Sequence, residues 1–201
     1  PFSFLEFLEL RNIKIMKESL YKIDSKVEIK KYFDEYLTKG GMPEFLIYDD
    51  NEILTRIYED TIIKDIAVRH KVENVIVLRE LYSYLISNMA NKFSFNSLKR
   101  FTNINSVNTI KKFIGYLEET YFARTINKFD YSVKKQIINN KKFYIMDNGF
   151  IGVLSRKFSR DKGWLLENFV FVNINKENDV FYYDNSNECD FVIAKNRDIV
   201  Q

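Results

Sequence analysis

The sequence predicts an α+β protein made of three consecutive parts: an N-terminal helical bundle, a winged helix-turn-helix, and a partial α/β segment. Three observations predict it. Apolar residues recur at helical spacing through the first ninety residues. From Phe93, two short capped helical patterns precede a pair of β-rich runs. After Asp147-Asn148-Gly149, one further helical pattern leads into strand-like runs. The boundaries this suggests are 1–92, 93–147 and 148–201.

In the first part, Phe4, Phe7 and Leu8 form a short amphipathic turn. Ile29, Tyr32, Phe33, Tyr36 and Leu37 share one helical face, and Gly40-Gly41 followed by Pro43 stops that helix. Ile53, Leu54, Ile57, Tyr58, Thr61, Ile62 and Ile66 form a second stripe. Leu78, Leu81, Tyr82, Leu85, Ile86 and Met89 form a third. Stripes this wide are expected to pack on one another as a bundle. In the second part, Ser94 or Asn96 caps a helix carrying Leu98 and Phe101. Thr102 to Asn105 is a polar turn. Asn105 or Ser106 then caps a longer helix that buries Val107, Ile110, Ile114 and Leu117. Tyr121–Ile126 and Lys142–Met146, separated by a polar stretch, read as the strands of a wing. In the third part, Trp164 to Ile174 reads as a helix, with Val180–Tyr183, Cys189–Ala194 and Asp198 onward as strands.

Composition narrows the chemistry. One cysteine, Cys189, permits no internal disulfide, which fits a reducing, cytoplasmic setting. One histidine, His70, excludes a metal site built on several His or Cys ligands, so a bound metal would sit on carboxylates and would be of the Mg²⁺ type. The net charge of +3 permits nucleic-acid binding without demanding it. The densest basic runs, Lys134-Lys135 and Lys141-Lys142, read as solvated surface. His70 reads as a surface or helix-end histidine, Trp164 as a core anchor, and Cys189 as a small buried hydrophobe. No apolar run approaches the ~20 residues of a membrane span, so no membrane partner is expected. The six glycines are scattered and form no phosphate-cradling loop, so this chain is expected to hold no ATP by itself. The sequence starts at Pro1 and stops at Gln201 as a strand pattern begins, which reads as part of a longer protein.

Two constellations could carry chemistry. With its apolar stripe inward, the helix after Ser106 presents Asn108, Thr109, Lys111 and Lys112 outward. Such residues contact base edges and phosphates, as on a recognition helix. The same helix could equally serve only to pack on protein. The second constellation is Glu167 on a helix and Asp190 between two strand-like runs, with Glu188 two residues before it. A helix carboxylate, a strand Asp and a following Glu-x-Lys form the layout of metal-dependent nucleases of the PD-(D/E)XK, restriction-endonuclease-like fold. In such a site carboxylates hold Mg²⁺, the metal polarises phosphate and activates water, and the lysine stabilises charge. No Glu-x-Lys follows Asp190 before Gln201, and Lys195 is misplaced for that role. The plain alternative is that Glu167 caps or pairs and Asp190 is a turn residue.

Several segments, in order, resemble the region C-terminal to the nucleotide-binding core in a group of archaeal and bacterial AAA+ ATPases. They are Pro1–Leu8, Tyr36–Glu44 (YLTKGGMPE), Tyr58–Ile66, Asp147–Phe150, Gly163–Val170 (GWLLENFV) and Glu188–Ile193 (ECDFVI). The resemblance covers nearly the whole chain. It implies an ATPase core as partner, with ATP and Mg²⁺ bound there and not here. It also implies a winged helix able to meet DNA or other proteins, and a nuclease-like tail in which Glu167 and Asp190 are the candidate catalytic and Mg²⁺-binding residues.

Overall fold

The computed structural model describes residues 1–13, 23–155, 162–174, 179–185, 187–195 and 198–200. The N-terminal part is helical: α1 (Phe4–Leu10), α2 (Ile23–Lys39), α3 (Pro43–Tyr48), α4 (Asn51–Asp60), a π-helix (Thr61–Val68) continuous with α4, and α5 (Val75–Ser87). Ser3 and Glu6 cap α1 reciprocally, and Asp50 and Asn74 cap α4 and α5 with their side chains. The middle part runs β1 (Lys92–Phe93), α6 (Phe95–Phe101), α7 (Val107–Glu119), β2 (Ala123–Lys128), α8 (Val133–Ile138) and β3 (Lys141–Ile145). It ends with α9 (Gly149–Leu154), α10 (Lys162–Ile174), β4 (Asp179–Asp184), β5 (Glu188–Lys195) and β6 (Asp198–Val200). The fold is therefore mixed helix and sheet, in agreement with the α+β expectation. No helix among the described residues is long and apolar enough to cross a membrane.

Ser94 caps α6 and Ser106 caps α7, as the sequence suggested. On α7, Ile110, Ile114 and Leu117 are buried, each worth ~1.5–3 kcal/mol of apolar transfer. On α6 Leu98 is fully buried and Phe95 packs partly against the core; Phe101, expected beside Leu98, is 66% exposed. The stretch between β2 and β3 is not merely polar. It contains α8, which buries none of its residues and leaves Val133, Ile137 and Ile138 exposed.

The six strands among the described residues form one sheet in the order β1-β3-β2-β4-β5-β6. β3 pairs antiparallel with both β1 and β2, and the end of β2 pairs parallel with β4 through Asn127–Phe181 and Lys128–Tyr182. The strands of the middle part and of the C-terminal part are thus hydrogen-bonded to each other. The stripes of the N-terminal helices do not close on themselves alone. A single cluster of buried side chains runs from Phe45 to Tyr182, joining α4, the π-helix and α5 to the sheet. β3 is the centre of this arrangement, buried along its whole length between α5 on one face and α10 on the other.

The sheet is strongly curled. Lys92 on β1 reaches Asp184 on β4 at 2.9 Å and Glu188 on β5 at 3.0 Å. In a flat sheet β1 and β4 would lie ~14 Å apart, three strand spacings, beyond the span of the two side chains. Curling brings the outer strands of the sheet to face each other across a cleft.

Candidate functional site

The cleft is where the two acidic positions meet. Lys92 and Lys142 are directly paired across β1 and β3, so both leave the same face of the sheet. Lys142 Nζ donates to Glu167 Oε1 on α10 at 3.1 Å and to Asp190 Oδ1 on β5 at 2.8 Å. Tyr144, two residues on and therefore on the same face, donates its hydroxyl to the same Glu167 oxygen at 2.6 Å. Phe171 stacks on the Tyr144 ring at 4.4 Å, fixing it against α10. Lys92 pairs with Asp184 and Glu188 at the mouth. The hollow lined by Lys92, Lys142, Glu167, Glu188 and Asp190, with Asn91 and Trp164, measures about 560 Å³.

The basic run Lys141-Lys142, expected in solvent, is buried in this structure. Lys142 lies beneath its two carboxylates. Lys141 points the other way: its ammonium meets the Asn127 side chain and the carbonyls of Gln136 and Ile137, tying down α8. Period-two alternation along β3 separates the two roles. Burial alone would lower the Lys142 pKa, but the Asp190 and Glu167 carboxylates outweigh it and the net movement is upward. Lys141 moves downward, from burial and from the nearby Lys111 charge. Burial, then the bond to Glu167, pushes the Tyr144 phenol well up, and burial raises Tyr182 to about 12. Hydrogen bonds to Asp184 and Glu188 raise Lys92, and its bond lowers Asp184 in turn.

Glu167 and Asp190 therefore converge, but on an ammonium. Lys142 Nζ fills the place between them that a divalent ion would take, so Mg²⁺ does not fit the pair as it stands. Among the described residues no group of three or more His, Cys, Asp or Glu is placed to hold a metal. Trp164 is half-buried, packs against the main buried cluster, and also lines the cleft. Cys189 is half-buried, its thiol donating to the Phe191 carbonyl at 3.1 Å.

On α7, Asn108, Lys111 and Lys112 are exposed, and Thr109 is half-buried with its N–H on the Ser106 hydroxyl. Lys111 lies over the Phe95 ring at 5.2 Å. These residues share no hydrogen bond or ion pair with the cleft among the described residues. His70 is not a free surface group. It stacks on Tyr116 at 3.7 Å and faces Glu119 at 3.3 Å, bracing the π-helix against α7.

A third constellation was not anticipated as a unit. Asp147 is buried and accepts from the Gly41 N–H at 2.7 Å and the Gly149 N–H at 2.8 Å. Asn148 donates to the carbonyls of Leu37 and Leu165. Asn168, fully buried, accepts from the Ile145 N–H and donates to the Ile145 carbonyl and to Asn148 Oδ1. Gly40 has φ +74°, and a Cβ there would sit 1.9 Å from Asp147 Oδ1. Phe2 N–H bonds the Gly41 carbonyl and the Phe2 carbonyl accepts from Tyr36. The start of α1 and the ends of α2 and β3 are locked there to the middle of α10. Burial, only partly offset by the two backbone N–H groups, raises the Asp147 carboxyl to about 6.

Residues 30–161 match the family described as a domain of unknown function, DUF8612. The chain belongs to that family. The DUF8612 span contains the α7 face, Lys92 and Lys142, and Asp147 with Asn148, but not Glu167, Asp184, Glu188 or Asp190. The whole chain is 32% identical to an uncharacterized protein of Methanocaldococcus jannaschii and 28% identical to an uncharacterized protein of Haemophilus influenzae. It covers 48% and 50% of those two proteins, about half the length of each. No solved structure matches it at a significant level.

Proposed function

We propose that this chain is the nucleic-acid-engaging, regulatory region of a larger AAA+-type ATP-binding protein, with a winged-helix unit as its reading element. The observation that carries the proposal is the free polar face of α7. Asn108, Lys111 and Lys112 are exposed while the opposite stripe is buried, and the β2–β3 ribbon follows directly. The order α5, β1, α6, α7, β2, β3, with β1 beside β3, supports the winged-helix reading. That face is uncovered among the described residues, which supports a surface-contacting role for it. The ATPase part rests on the sequence resemblance and on relatives about twice as long; ATP and its Mg²⁺ would be bound outside this chain.

The test is fluorescence anisotropy on a labelled duplex across a salt series. Binding should weaken steeply with salt, and each of Lys111→Ala and Lys112→Ala should reduce the log–log slope by about 1. No binding at low salt, or a double variant indistinguishable from wild type, removes the reading.

The nuclease reading has one observation in its favour: Glu167 and Asp190 share a cleft. It requires the Lys142 ammonium to leave its place for Mg²⁺. It predicts Mg²⁺-dependent cleavage of DNA that is abolished in both Glu167→Ala and Asp190→Ala. Absence of cleavage in the full-length protein with Mg²⁺ or Mn²⁺ eliminates it.

A further inference from the structure

Between the outer side of α5 and the α6–α7 turn lies a hollow of about 550 Å³. Its size is that of small-ligand pockets. We propose that it takes an unpaired base of a single-stranded nucleic acid; this rests on the nucleic-acid reading and deepens it.

Four features set the chemistry. Phe101 is 66% exposed, yet it is not a stray surface residue, because it stacks on Tyr84 with ring centroids 5.2 Å apart and planes within 22°. The pair holds one aromatic ring in place with its other face open, which is a stacking platform. The rim is polar. Asn88 and Thr102 use a hydrogen on the Tyr84 and Leu98 carbonyls, whereas Glu80 and Asn103 make no hydrogen bond or ion pair among the described residues. The Glu80 carboxylate repels phosphate, so a base and not the backbone is the part that enters. A carboxylate accepts best from adjacent ring and exocyclic N–H groups, as on guanine. Lys99 and Arg100, exposed and immediately before Phe101 on α6, supply cations for the flanking phosphates. A paired base has both faces stacked and its edge occupied, so the hollow selects an unpaired one.

The experiment compares three fluorescein-labelled probes: oligo-dT, the same length with guanine at every third position, and a duplex. Phe101→Ala should weaken both single strands by about 5- to 150-fold and leave the duplex within about twofold. Glu80→Gln should abolish the preference for the guanine-containing strand and leave oligo-dT binding unchanged. Both side chains are exposed, and circular dichroism confirms that the variants fold. Duplex binding with single-strand affinity unaltered in Phe101→Ala overturns this inference alone. Failure of every probe to bind wild type overturns the underlying reading with it.

Discussion

Replacing Asn168 by Ala should cost this protein more than any single substitution in the acidic cleft. Asn168 is wholly buried on α10 and makes three hydrogen bonds, at 3.1, 2.8 and 2.8 Å, to the Ile145 N–H, the Ile145 carbonyl and Asn148 Oδ1. Alanine strands all three partners. A buried unsatisfied polar group costs ~1–3 kcal/mol. The three belong to one network and are not additive, and the space left by the amide can admit a water that recovers one of the bonds. The expected loss is ~3–4 kcal/mol, a large part of the ~5–15 kcal/mol that holds a typical domain. Urea unfolding followed by Trp164 fluorescence is a direct readout, since Trp164 is the single tryptophan and lies on the same helix. With a slope of ~2 kcal/mol per molar, the midpoint should fall by ~1.5–2 M. Asn168→Asp is the sharper control. It keeps the acceptor for the Ile145 N–H but turns a carboxylate oxygen against two other oxygens, so it should be destabilised at neutral pH and partly rescued by acid. A midpoint shift below ~0.5 M for Asn168→Ala, at unchanged slope, refutes the claim that this amide ties α10 to β3.

Further outcomes follow from the same geometry. Gly40→Ala should destabilise by ~2 kcal/mol or more, because its Cβ meets Asp147 and φ is +74°. Gly115→Ala, whose Cβ meets nothing within 4 Å on α7, should stabilise by ~0.5–1 kcal/mol in the same urea titrations. Asp147 has its folded carboxyl raised from 3.8 to about 6, so its contribution is fully present below pH 3.8 and lost as pH rises through 6. Wild type should therefore lose roughly 3 kcal/mol relative to Asp147→Asn across that window, and parallel pH–stability curves would contradict it. Lys142→Met should cost ~2–3 kcal/mol, less than a fully buried pair because Asp190 is 54% exposed. A double-mutant cycle with Glu167→Gln should give a coupling of ~1 kcal/mol or more, and a coupling near zero would deny the contact any energetic role.

The helices were legible because each leaves a local signature. Ser94 and Ser106 announce α6 and α7 by their capping chemistry, and Ile110, Ile114 and Leu117 announce the buried side of α7. The π-helix was read as ordinary helix, since Ile62 and Ile66 are inward at either pitch. α8 left no periodic signal, because it buries nothing. The parallel contact of β2 with β4 joins residues more than fifty positions apart, and no local pattern encodes it. In the cleft, Glu167 and Asp190 stood out as acids in strand and helix patterns. Lys142 did not, because a lysine beside another lysine reads as surface. Only the two-residue alternation of a fully buried strand, which sends Lys141 and Lys142 to opposite faces, gives each a partner.

The segments that carried the family resemblance now have a physical meaning, and it is mostly structural. Gly40-Gly41, Asp147–Gly149 and Asn168 come from three separate motifs and form one buried hydrogen-bonded lock. A resemblance resting on such residues reports how the chain holds its shape. It carries little information about chemistry, because the same lock would serve a nuclease, a DNA reader or a protein-docking module. The residues that distinguish those functions lie elsewhere: Asn108, Lys111 and Lys112 on α7, Phe101 on α6, and the carboxylates around Lys142. Variants at the lock should change stability, and through it every activity in proportion. Variants at Lys111, Lys112 or Phe101 should change one binding mode at unchanged stability. Loss of duplex binding in Lys111→Ala at a wild-type melting temperature would separate the two kinds of residue. A fall in melting temperature that accounts for all of that loss would return α7 to the scaffold.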